Sequence, residues 1–183
     1  MNTRKIFVVA GVWALLVVLA VHFLEFPGSV PDFTRVTGGG VLLDAAPAFT
    51  PDATYERLAG YGDAGRRNYS FRNVTVDVFL PLSVFPFLLL LIRRATSRSS
   101  LRPSLIRVLI AVPVVYVALD LLENASVLAL LARYPERMNA LAASLPYTTV
   151  IKRAASVLAL GVPTAMLAWQ FIRRKQLPAT FVH

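Results

Sequence analysis

Four apolar runs, residues 6–24, 74–92, 108–132 and 150–172, set the terms on which this chain can fold. Each holds 19 to 25 residues. At 1.5 Å of rise per residue, a helix of that length crosses a hydrocarbon core about 30 Å thick. The expected fold class is therefore all-α: a polytopic membrane protein built as a four-transmembrane-helix bundle. It is read as one domain over residues 1–183, with an outer loop at 25–73 that contains one or two short helices. Only 16% of the residues are charged, against about 25% in a soluble domain.

The first run could be a signal peptide, because Arg4 and Lys5 precede it and Val18-Leu19-Ala20 weakly suits cleavage. It is longer than the usual apolar core of about 7–15 residues, so an uncleaved anchor is favoured. The net charge of +9 invites a nucleic-acid reading, which the distribution of charge removes. Arg4 and Lys5, the five arginines between Arg93 and Arg107, and Arg173, Arg174 and Lys175 make ten basic residues with no acid among them. The remaining loops and spans hold nine basic residues and all ten acids. This is the positive-inside pattern for a multi-pass protein with both termini cytoplasmic. The Ala, Val and Arg bias points to a bacterial cytoplasmic (inner) membrane. Membrane lipids are the expected surroundings, and nucleic acid is not an expected partner.

No cysteine is present, which excludes quinone-coupled disulfide chemistry and a stapled outer loop. The two histidines, His22 and His183, lie far apart, and no His/Cys metal spacing or cofactor motif occurs. Residues 25–49 carry Pro27, Pro31, Pro47 and three consecutive glycines and read as irregular. Thr50-Pro51-Asp52 is a strong helix start, with Thr as cap, Pro at the first position and an acid in the first turn. It predicts a short helix over 51–59. Asp63 is expected to cap a further helix that runs into the second span. The tail after Lys175 reads as disordered.

Polar residues inside the spans are the functional signal. An ionisable group at the bilayer centre costs about 2.5–3.5 kcal/mol on insertion scales, so such groups are normally paired and turned inward. On the third span Tyr116, Asp120, Glu123 and Asn124 follow i, i+4, i+7, i+8 and share a face. On the fourth, Thr149, Lys152 and Ser156 follow i, i+3, i+7. Leading into the second, Arg66, Tyr69, Asn73 and Asp77 share a face if the helix is continuous. Counting from the cytoplasmic arginines, Asp120 lies about 20 Å up, and Glu123, Asp77 and Ser156 about 24–25 Å. All fall in one layer in the outer half of the bilayer. Lys152 and Arg66 are expected to neutralise the acids, and Arg153 to point elsewhere.

The residues Gly62-x-x-Gly65-Arg66-x-x-Tyr69, then Asp77 and Pro81, form the first of three ordered motifs. Asp120-x-Leu122-Glu123-Asn124 followed by Tyr134-Pro135 is the second, and Thr149-x-x-Lys152 the third. In order and spacing they resemble a family of small bacterial four-helix integral membrane proteins. Many relatives have an aromatic residue where this chain has Arg153. The resemblance implies a shared polar feature and brings no activity with it.

Three functions remain open. The polar layer could bind or act on a lipid-like or small amphiphilic ligand, with Asp120 and Glu123 as the acid–base pair and the other named residues holding the ligand. The chain could be a proton-coupled transport component, which four helices would support only as a homo-oligomer. It could be a non-catalytic accessory or scaffold protein with a membrane-protein partner, its polar residues serving only as helix glue.

Overall fold

The computed structural model describes residues 2–97 and 99–176, with side chains to residue 173. The tail read as disordered lies outside the described residues from position 177 on. Seven helices follow in order: α1 (Thr3–Phe23), α2 (Val30–Val36), α3 (Pro51–Gly60), α4 (Gly62–Val74), α5 (Val76–Thr96), α6 (Pro103–Arg133) and α7 (Asn139–Gln176). Among the described residues there is no strand. Four stretches are long and apolar enough to cross a membrane: Thr3–Phe23, Gly62–Thr96, Pro103–Arg133 and Asn139–Arg173. Helix is the form that satisfies the backbone within each segment, as hydrocarbon requires. The fold is an all-α membrane bundle.

The bundle is not symmetrical. α6 and α7 pack most intimately, and α5 lies against both. α1 packs on α5 and α2 rather than on α6 or α7. Its Val8, Val9, Val12, Trp13 and Leu16 are exposed, where lipid would cover them. Three helices thus form the core, and the first is an attachment to one of them.

The long loop is a folded cap. Phe33, Leu42, Leu43, Leu58, Tyr61 and Tyr69 pack with Val127, Leu130 and Leu131 of α6 and with Ala142 and Leu145 of α7. Tyr55 Oη accepts from the Met138 amide at 2.5 Å and donates to the Glu136 carbonyl at 3.2 Å. Arg137 pairs with Asp52 and lies over the Tyr55 ring. The cap therefore grips the α6–α7 turn.

Local sequence explains its helices. Thr50 caps α3 as expected, its hydroxyl accepting from the Ala53 amide at 3.2 Å. α2 falls in the segment expected to be irregular, and it starts the same way: Ser29 accepts from the Asp32 amide, with Pro31 in the first turn. α4 begins without a side-chain cap. Gly62, at φ +62°, makes the corner with α3, a conformation that glycine adopts without a Cβ penalty. Asp63, expected to cap, pairs with Arg66 instead.

Asp32 ties the cap to α4. Its carboxylate accepts from the Gly28 amide at 3.0 Å, from Asn68 Nδ2 at 2.7 Å and from Arg35 Nη2 at 2.6 Å. The Gly28 N–H, more than its other partners, holds its pKa below the ordinary 3.8. A lowered folded value means the contribution is complete above 3.8 and is lost as pH falls through the folded value. Asp32→Ala is expected to cost about 1.5–3 kcal/mol at neutral pH, read from unfolding in detergent. The gap to the parent chain should hold down to pH 3.8 and close below it. A gap that widens on acidification would contradict this account.

Candidate functional site

The α6 face forms as its spacing requires. Asp120, Glu123 and Asn124 are buried, and Tyr116 is half-buried beside them. α7 brings its own polar face against them. Lys152 Nζ lies 3.0 Å from Asp120 Oδ1 and also pairs with Glu123 Oε2. The Thr149 hydroxyl donates to Glu123 Oε1. Thr149 is fully enclosed and Glu123 is only 1% exposed. One ammonium thus serves two carboxylates, and the hydroxyl satisfies a remaining acceptor, as a buried carboxylate demands.

The approach from α4 to α5 differs from expectation. Thr75, at φ −118° and ψ −81°, breaks the helix, so the assumed continuous face is interrupted two residues before Asp77. Asp77 still joins the site, but its cation is Arg72, with Nη2 at 2.8 Å. Arg72 is 3% exposed and donates its other terminal nitrogen to the Gly28 carbonyl at 2.7 Å. Asn124 Nδ2 bridges back, donating to the Asp77 carbonyl at 2.9 Å, and lies 3.4 Å from Asp120 Oδ2.

Arg66, expected to neutralise the acids, is elsewhere. It donates to the Leu58 carbonyl, pairs with Asp63 and stacks over Tyr134. Tyr69 belongs to the cap core, its hydroxyl accepting from the Leu43 amide at 3.2 Å. Asn73 is buried and bonds the Tyr69 carbonyl within its own helix. These three do not line the cavity described next.

A cavity of about 430 Å³ opens where α1, α5, α6, α7 and the cap meet. Asp77, Tyr116, Asp120, Asn124, Lys152 and Ser156 line it, as do Arg72, Asp44, Arg153 and His22. Those last four were not among the residues expected to form a site. Arg72 carried one signal, an arginine five residues ahead of an intramembrane aspartate. Asp44 carried none, since it comes from the segment read as irregular. Arg153 was expected to point away. Instead it holds the cap, donating to the carbonyls of Asp44 and, at 2.7 Å, Ala45. His22 Nδ1 lies 2.8 Å from the Val18 carbonyl and donates to it. Among the described residues no group of three His, Cys, Asp or Glu is arranged to hold a metal ion.

A second cavity, about 600 Å³ and almost wholly apolar, adjoins the first. Gly11, Ala14 and Leu15 of α1, Phe87 and Leu88 of α5, and Val157 and Leu160 of α7 line it. Val18, Val84, Tyr116 and Ser156 line both cavities. The gap exists because α1 stands off from α7. Gly11 lets the Phe87 ring come close: a Cβ there would lie 3.1 Å from Phe87 Cε2.

The ionic cluster makes a quantitative demand. Lys152→Met leaves two buried carboxylates without a counter-charge and is expected to cost about 3–5 kcal/mol, measured by thermal unfolding in detergent. Adding Asp120→Asn and Glu123→Gln to the same chain should recover most of that loss. A triple variant no more stable than Lys152→Met would show that the charges are not the source of the cost.

No family model, curated protein or solved structure matches this chain.

Proposed function

We propose that this protein holds a lipid-like or small amphiphilic ligand in the bundle, its polar end among the charged side chains and its apolar end in the adjoining cavity. The carrying observation is the junction of a polar and an apolar cavity across Val18, Val84, Tyr116 and Ser156. Polar groups that converge on a mostly apolar space are the usual form of a small-molecule site. The polar part lies toward the cap and the apolar part toward the middle of the bundle, the order in which a membrane amphiphile is arranged.

In this reading Asp120, which lines the cavity, is the member of the candidate acid–base pair that meets the ligand, and Glu123, enclosed behind it, is coupled to it through Lys152. Asp77, Tyr116, Asn124 and Ser156 touch the ligand. Arg66, Tyr69, Asn73 and Thr149 act through the cap and the bundle. The membrane is the bacterial cytoplasmic one, with both termini on the cytoplasmic side as the arginine distribution directs. The motif resemblance adds that this arrangement is a family property.

A second reading has its own support. The charges inside the bundle largely saturate one another, as they would in a scaffold whose polar cluster only fixes helix register. Native mass spectrometry of the protein released from nanodiscs separates the two. The parent chain is expected to retain an amphiphile, and Ser156→Trp, which fills the junction, to lose most of it while unfolding at a similar temperature. Empty parent protein, or equal retention by the variant, would favour the scaffold.

A further inference from the structure

We infer that the ligand's polar end is zwitterionic, with a primary ammonium received by Asp44 and a neighbouring anionic group by Arg153. This rests on the amphiphile reading above. The cavity is lined by three acids and three permanent cations. Asp77 is paired with Arg72, and Asp120 with Lys152, which also serves Glu123 behind the wall. Two charges remain. Among the described residues Asp44 forms no ion pair, and its Oδ1 is buried without a hydrogen-bond partner. Arg153 is held only by backbone carbonyls, those of Asp44 and Ala45.

These two unmatched charges are neighbours, because the arginine bonds the backbone of the aspartate itself. Both carbonyl bonds come from Nη2 of the guanidinium, which leaves Nη1 and Nε to meet an anion, and among the described residues neither Arg153 nor Asp44 has an opposite charge within ion-pair distance. A neutral head would leave the half-buried Asp44 carboxylate, with its buried Oδ1, uncompensated, which is costly. An anionic head would satisfy Arg153 and crowd Asp44. A head carrying both signs a few atoms apart satisfies both. A primary ammonium suits Asp44 better than a quaternary one, because it brings three N–H donors as well as charge. Both residues sit at the cap side of the polar cavity, away from the apolar chamber that would take the chains.

The test uses the full chain in nanodiscs of three phospholipids with the same acyl chains: phosphatidylethanolamine, phosphatidylcholine and phosphatidylglycerol. Lipid retained after release is measured by native mass spectrometry. Retention of the ethanolamine lipid is expected to exceed that of the other two by about tenfold, the worth of one charge-assisted hydrogen bond. Asp44→Asn should erase the preference and leave retention of the glycerol lipid unchanged. Asp44→Glu should keep it, which guards against a merely structural effect. Arg153→Gln should weaken all three lipids alike, since all carry the phosphate.

Equal retention of the three lipids, or a preference that survives Asp44→Asn, overturns the ammonium assignment and leaves the amphiphile reading standing. No retention of any lipid overturns the amphiphile reading and this inference with it.

Discussion

Lys152 between Asp120 and Glu123 is the contact on which the rest of the molecule depends. Charged groups taken from water cost several kcal/mol each, and only close mutual geometry offsets that. Such a cluster tolerates little sliding or rotation, so it sets the register of α6 against α7. From it the contacts run outward in sequence. Asn124 reaches the Asp77 backbone on α5, Asp77 holds Arg72 on α4, and Arg72 holds the Gly28 carbonyl where the chain leaves α1. Polar contacts thus link the start of the cap to the last two helices.

The cap and the first helix then shape the space around that cluster. Apolar and aromatic packing seats the cap on the α6–α7 end, and Arg153 fastens the segment at Asp44 and Ala45. α1 leans on α5, and the interval it leaves beside α7 is the apolar cavity. The polar cavity is roofed by protein and flanked by a space suited to hydrocarbon. Gly28 is the narrow point of this construction. It sits at φ +82°, and a Cβ there would come within 3.1 Å of Val76 Cγ2, so the turn that presents both its amide and its carbonyl favours glycine.

How much of this was legible depended on whether the signal was periodic. The spanning helices announce themselves by length and hydropathy. The α6 face of Tyr116, Asp120, Glu123 and Asn124 follows from helical spacing alone, and Lys152 from being the cation on the polar face of the fourth span. α3 follows from Thr50-Pro51-Asp52. α2 has an equivalent start at Ser29, but the surrounding prolines and glycines outweighed it. The Thr75 break was not legible, because no glycine or proline marks it. It ends the helical face that Arg66 and Tyr69 share with Asn73 and Asp77, and it leaves Arg72 beside Asp77. Asp44 depends on how a long irregular segment folds back on the bundle. That is a tertiary outcome, and no local pattern encodes it.

The order of charges along the chain has a consequence in time. Asp77, Asp120 and Glu123 all precede Lys152, so the ribosome delivers the acids first. Until α7 follows, the α6 carboxylates lack the ammonium that balances them in the finished protein. An acidic helix released alone into lipid carries an insertion penalty on the order of 2.5–3.5 kcal/mol per acid. The α5–α6 hairpin therefore gains by waiting beside the insertion machinery for its partner. α7 is then the element that brings the balancing charge, and a chain that ends before Lys152 lacks it.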